Sequence, residues 1–68
     1  MALKIFGITI EINRVGDEWE IFPMKTMKAY KMKMKRGNYR FYSSDTPILL
    51  LNIELEISRE LLKQNQSK

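Results

Sequence analysis

Apolar and polar residues alternate strictly near the start of the chain. The alternation covers residues 6–12 and resumes around Trp19. A period of two turns one side of a strand toward a core and the other side toward solvent. The Gly-Asp pair at residues 16–17, between the two runs, is typical of a turn. The pattern therefore predicts a hairpin with strands near residues 3–13 and residues 18–22.

Lysines alternate with methionine or tyrosine in the middle of the chain. The run "YKMKMK" at residues 30–35 predicts a third strand. Gly37 and Asn38 both adopt positive φ at low cost, so the chain is expected to reverse at "RGN" and return as a fourth strand at residues 39–42. The short segment 24–29 fits either a helical turn or an extended connection.

The C-terminal third contains a run of leucine and isoleucine that fits two kinds of element. A helix could begin there, with Asp45 as its cap and Pro47 at its first position. The alternation of apolar residues with asparagine and glutamate favours a strand at residues 48–57 instead. Ser58 would then cap a short helix of residues 58–66.

Together these elements predict a mostly-β fold in a single domain of residues 1–68. The expected architecture is a small five-stranded antiparallel sheet, or a partly closed SH3-like barrel, with a short C-terminal helix. A flat sheet of this size would leave one apolar face in water. The order of the elements is similar to that of small SH3-like barrels, including the small archaeal chromatin proteins. That resemblance concerns architecture and implies no particular function.

The chain contains neither cysteine nor histidine. Disulfides and the usual zinc ligands are therefore excluded, and a domain this small must derive its stability from apolar packing. Trp19 is interpreted as a core anchor. The methionines that surround the lysine-rich segment are interpreted as gap fillers in the core: Met24, Met27, Met32 and Met34.

Nothing in the sequence favours catalysis, so we expect a protein that is not an enzyme and uses no cofactor or metal. Without histidine or cysteine, a nucleophilic serine lacks its usual base. The pairs Glu18/Glu20 and Glu54/Glu56 are interpreted as solvated strand faces rather than as acid–base pairs or cation sites. No signal peptide or membrane-spanning run is recognisable, so a cytoplasmic protein without membrane contact is expected.

Charge is strongly segregated along the chain. Residues 24–42 contain seven basic residues and no acidic one, whereas the rest of the chain holds five basic and eight acidic residues. The net charges are thus +7 in the middle and −3 elsewhere. Segregation of this kind acts on partners and association rates rather than on the fold.

The segment "KAYKMKMKRGNYRFY" combines this charge with aromatic side chains. Residues two apart on a strand lie about 6.6 Å from each other on one face, which suits successive phosphates of a nucleic acid. Aromatic rings beside such cations can stack on bases. The hypothesis is therefore a small basic protein that binds DNA or RNA through a hairpin at residues 28–42. Five basic and two aromatic residues form the candidate site: Lys31, Lys33, Lys35, Arg36, Arg40, Tyr39 and Tyr42.

Two alternatives remain open at this point. In the first, the basic strand is a solvated face, neutralised by cross-strand pairing with the acidic strand at Glu18/Glu20 or at Glu54/Glu56. In the second, the protein is an interaction module or a small regulator or inhibitor of a larger protein. It would act on an acidic protein surface through the basic hairpin, or through an open strand edge in "FGITIEI" or "LLLNIELEI", either alone or as a homodimer.

Overall fold

The computed structural model describes residues 1–23 and 28–66. Five strands form one antiparallel sheet in the order β1-β2-β3-β4-β5. The strands are β1 Ala2–Ile5, β2 Ile8–Val15, β3 Glu18–Pro23, β4 Tyr30–Lys35 and β5 Asn38–Phe41, and the helices are α1 Ile48–Asn52 and α2 Glu54–Gln66. The sheet curls into a half-barrel and the C-terminal helix packs against it, which confirms the predicted fold class.

The predicted strand at residues 3–13 is in fact two strands joined by a tight turn. Phe6 and Gly7 occupy this turn with φ values of 51° and 79°, and Ile5 pairs with Ile8 across it. A bulky residue at positive φ is rare, so the pattern predicts no turn at Phe6. The turn shifts the alternation by one residue, because Leu3 and Ile5 pack on the core before it and Ile8 and Ile10 after it. Phe6 continues the even-numbered apolar run in the sequence but is 74% exposed.

The hairpin formed by β4 and β5 turns one residue earlier than expected. Arg36 and Gly37 have φ values of 54° and 88°, while Asn38 already pairs with Lys35 in the ladder. Positive φ at both central residues matches the right-handed twist of the flanking strands. Tyr42 lies just beyond β5, although its N–H still donates to the Lys31 carbonyl at 3.4 Å.

The predicted strand at residues 48–57 is wrong, because this segment is helical. Leu50, Ile53, Ile57 and Leu61 are buried, with the spacing of three and four residues that defines one side of a helix. The chain leaves regular helical geometry only at Ile53, which separates α1 from α2. The apolar run fits both the two-residue period of a strand and the 3.6-residue period of a helix. The helix is adopted because it also brings Leu50 and Leu61 into the core.

The beginning of the helical segment matches neither prediction in detail. Pro47 precedes α1 with extended backbone geometry and caps it without a side-chain hydrogen bond. Ser58, predicted as a helix cap, lies inside α2 and is completely buried. The rejected alternative of a helix that starts near Pro47 was therefore closer to the structure than the strand.

The core lies between the inner face of the sheet and the helices. Trp19 is 6% exposed and meets the buried Tyr39 edge to face, with ring centroids 6.4 Å apart. This confirms the interpretation of Trp19 as an anchor. Met32 is fully buried whereas Met34 is 45% exposed, so the gap-filler interpretation holds for the first and not for the second. Met24 and Met27, and most of the ambiguous segment 24–29, lie outside the described residues.

Side chains of α2 cover the outer edge of β5. The Tyr39 N–H donates to Ser58 Oγ at 2.8 Å, and the Phe41 N–H donates to Glu54 Oε2 at 2.8 Å. Four residues along a helix advance about 6 Å, close to the two-residue repeat of about 6.8 Å along an antiparallel strand. The helix therefore accepts hydrogen bonds where a sixth strand would otherwise pair.

Neither of the long apolar segments offers an open strand edge. The segment "FGITIEI" contributes mainly to β2, which is paired on one side with β1 and on the other with β3. The segment "LLLNIELEI" is helical. Neither segment therefore supplies the open edge on which the strand-edge alternative depended.

Replacing Ser58 with alanine should destabilise the fold. The buried Tyr39 N–H would lose its acceptor, which costs about 1–3 kcal/mol. Chemical denaturation measures the free energy of unfolding, and amide hydrogen exchange should accelerate at Tyr39 in particular. Ser44→Ala is the matched control, because Ser44 is exposed and exposed substitutions typically stay within about 0.5 kcal/mol. Equal denaturation midpoints for the two variants would contradict the role given to Ser58.

Candidate nucleic-acid interface

The lysines of β4 lie on the outer face of the sheet, opposite the core. Lys31, Lys33 and Lys35 are exposed, while Met32 between them is buried. The inside-outside alternation predicted for this strand is thus confirmed as far as Lys33, whereas Met34 is exposed as well. On the same face, β5 presents Arg40, which stands directly opposite Lys33.

A depression with a volume of about 530 Å³ opens on this part of the surface. Four basic and two aromatic residues line it: Lys33, Lys35, Arg36, Arg40, Phe41 and Tyr42. We refer to it as the basic depression. Among the described residues, no acidic one lines it, and its volume falls in the range of about 300–1,000 Å³ that small-molecule sites occupy.

The structure brings together five of the seven predicted site residues and separates the other two. Lys31 lies outside the basic depression and pairs across the ladder with Glu20. Tyr39 is 2% exposed, so its predicted role as a stacking surface is wrong. The alternation along β5 could have revealed that Tyr39 is buried, because neighbouring strand residues point to opposite faces and Arg40 points outward.

Tyr42 is held over the outer face of the sheet by one contact at its hydroxyl and another at the face of its ring. Its hydroxyl donates to Glu18 Oε1 at 2.6 Å, and the ammonium of Lys33 lies 4.8 Å from its ring centroid. Exposed contacts between a cation and an aromatic face contribute about 0.5–1 kcal/mol. The side chain nevertheless remains 47% exposed. Tyr42 is therefore an oriented ring that solvent still reaches.

Arg40 is the member of the basic depression that has a carboxylate partner. Its Nε lies 3.0 Å from Glu54 Oε1, while the other oxygen of Glu54 accepts the Phe41 N–H. Within the described residues, Lys33, Lys35 and Arg36 form no ion pair. Three cations of the depression thus keep their charge available for a ligand.

The strand order places the acidic strand β3 next to β4, as the solvated-face alternative required. Its carboxylates have other partners, however. Glu18 accepts the Tyr42 hydroxyl, and Glu20 accepts the Asn13 amide at 3.0 Å. In the part of the chain that the structure describes, neither glutamate forms an ion pair with a lysine of β4. Among the described residues of the basic depression, neutralisation by direct pairing is therefore limited to Arg40.

The contacts of Glu18 and Glu54 were not foreseen from the sequence. Each carboxylate orients a residue of the basic depression, Glu18 through Tyr42 and Glu54 through Arg40. A second ion pair outside the depression joins Lys28 to Asp45. The side-chain hydrogen bond between them raises the pKa of Lys28 and lowers the pKa of Asp45.

The pKa of Tyr42 should lie above its ordinary value, because the hydrogen bond to Glu18 stabilises the protonated phenol. This contribution to stability is present below the unfolded pKa of about 10 and is lost as the pH rises through the folded value. NMR of ¹³C-labelled tyrosine measures the titration. Glu18→Gln should lower the pKa of Tyr42 toward normal, whereas Glu20→Gln, on the same strand face, should leave it unchanged. An unchanged Tyr42 titration in Glu18→Gln would contradict the assignment.

Comparison with known proteins adds no family to this picture. No family model, no curated protein and no solved structure matches the chain. Among the described residues, no three carboxylates come together as potential metal ligands. Likewise, no helix in the described ranges is long and apolar enough to cross a membrane.

Proposed function

We propose that this chain is a non-catalytic binding protein whose basic depression binds the phosphate backbone of a nucleic acid. The observation that supports this is the grouping of Lys33, Lys35 and Arg36 in one concavity, without a carboxylate partner among the described residues. Cations that are already paired would contribute less, because a phosphate would have to displace the carboxylate.

The arrangement of the cations suits an extended polyanion. Lys33 and Lys35 lie two residues apart on one strand face, about 6.6 Å along β4. Arg36 follows at the turn and can donate two parallel hydrogen bonds to a phosphate. Each phosphate contact releases condensed counterions, which favours binding at low salt. The positive charge is also concentrated on this hairpin, so it can steer association.

Replacing Lys33, Lys35 and Arg36 together with alanine should abolish most nucleic-acid binding. Fluorescence anisotropy of labelled oligonucleotides, titrated from low to physiological salt, measures the dissociation constant. On a log–log plot against salt, the loss of three phosphate contacts should make the slope shallower by about 2 to 3.

The matched control removes the same charge elsewhere. Lys4, Arg59 and Lys63 are exposed and lie outside the basic depression, so the triple alanine variant of these residues has the same net charge as the first. It should keep most of the affinity and the slope. Equal losses in the two variants would mean that net charge alone drives binding. No binding by the unmodified protein at low salt would overturn the proposal.

A protein-interaction module remains the second candidate, because a cluster of apolar side chains on the helices faces solvent. Its members are between 44% and 73% exposed and form what we call the apolar helix face: Ile48, Leu49, Leu51 and Leu55. Glu56 and Arg59 follow on α2. An antiparallel helix pair with a second copy of the chain would bring these opposite charges together. A homodimer is therefore the form of this candidate that we test.

If the apolar helix face joins two copies, the unmodified protein should sediment as a dimer at micromolar concentration, with little dependence on salt. Leu51→Glu/Leu55→Glu should convert it to a monomer, because charges would be buried at the contact. Thr9→Glu/Ser44→Glu adds the same charge at exposed positions outside this face and should remain dimeric. Analytical ultracentrifugation distinguishes these outcomes, and a monomeric unmodified protein would rule this candidate out.

A further inference from the structure

We infer that the basic depression takes an unpaired nucleotide of a single strand, with its base stacked on Tyr42 and its phosphates on the neighbouring cations. This inference rests on the proposed function and adds the class of nucleic acid. The depression offers both parts of such a ligand a partner, since an aromatic ring and a set of cations line the same concavity.

Tyr42 is oriented before any ligand arrives. Its hydroxyl is anchored to Glu18 at 2.6 Å, so the ring loses little further freedom when a base stacks on it. Glu18 is then a positioning residue. It holds the ring from the side of β3, and it does not line the depression.

The contact with Lys33 indicates that a ligand in the basic depression can reach the face of the Tyr42 ring. Its ammonium lies 4.8 Å from the Tyr42 ring centroid, and both residues line the basic depression. A stacked base interacts more strongly with an aromatic ring than an exposed ammonium does. A nucleotide can therefore displace the ammonium from the ring and offer it a phosphate in exchange. The long, flexible lysine side chain permits that movement.

A duplex does not expose the base face that would stack on Tyr42. In double-stranded DNA, the grooves expose only the edges of the bases, and the flat faces are covered by their neighbours in the stack. Access to a face requires that a base be unpaired or removed from the stack at a cost in free energy. Phosphate contacts alone would remain available to a duplex. The depression should therefore prefer a single strand.

The test compares strands that have identical phosphates and differ in their bases. One is a ten-residue oligothymidylate, and the other carries ten abasic residues. The unmodified protein and Tyr42→Leu are titrated with both by fluorescence anisotropy. The matched control is Phe6→Leu, which removes an aromatic ring that is 74% exposed and lies outside the depression. An oligouridylate and a duplex of the same length form two further arms.

We expect Tyr42→Leu to weaken binding of oligothymidylate by about 5- to 150-fold, while its binding of the abasic strand changes little. Phe6→Leu should leave both affinities unchanged. For each strand, the affinity of the unmodified protein is divided by that of Tyr42→Leu. Coupling between the ring and the base then appears as a larger ratio for oligothymidylate than for the abasic strand. Glu18→Gln should reduce the preference for the base-bearing strand, whereas Glu20→Gln should retain it. The same coupling with oligouridylate supports the inference for RNA, and weaker binding of the duplex supports the preference for a single strand.

Equal effects of Tyr42→Leu on the base-bearing and abasic strands would overturn the inference, as would tighter binding of the duplex. In either case, the proposed function would survive if the Lys33/Lys35/Arg36 variant still lost affinity relative to its matched control. If no strand bound at all, the proposed function itself would fail. The two proposals can therefore be rejected separately.

Discussion

Two hydrogen bonds between the backbone of β5 and side chains of α2 connect the sheet to the helix. Ser58 and Glu54 accept the N–H groups of Tyr39 and Phe41, each at 2.8 Å. The pairing works because one helical step of four residues nearly equals two residues of strand. A buried donor without an acceptor costs about 1–3 kcal/mol, and the Tyr39 N–H is buried. The edge of β5 is therefore closed by the same helix that completes the core.

The outer surface depends on this closure. With its edge and inner face covered by α2, β5 keeps only its outer face for other contacts, and there it presents Arg40 beside Lys33. Glu54 contacts both the edge and the outer face of β5. One of its oxygens accepts the Phe41 N–H at the edge, and the other contacts Arg40 on the outer face at 3.0 Å. The packing of the helix thus determines where one wall of the basic depression lies.

Acidic residues near the basic hairpin orient its side chains more than they neutralise its charge. Glu18 holds Tyr42 by the phenol hydroxyl, and Glu20 accepts the amide of Asn13. A carboxylate that accepts a neutral donor keeps its charge but is not directly paired with a lysine. In the described part of the chain, Lys33 and Lys35 consequently have no carboxylate within ion-pair distance.

The sequence by itself determined the strands of the basic hairpin, the mostly-β fold and the segregation of charge, because alternation with period two and composition are local properties. It did not locate the turn at Phe6, since this apolar residue continues the alternation of Ile8 and Ile10 although it is exposed. The tertiary structure decided the rest. The segment 48–57 is helical because that geometry brings Leu50 into the core. Tyr39 faces inward against Trp19, and only the pairing of β4 with β3 and β5 fixed which cations have carboxylate partners.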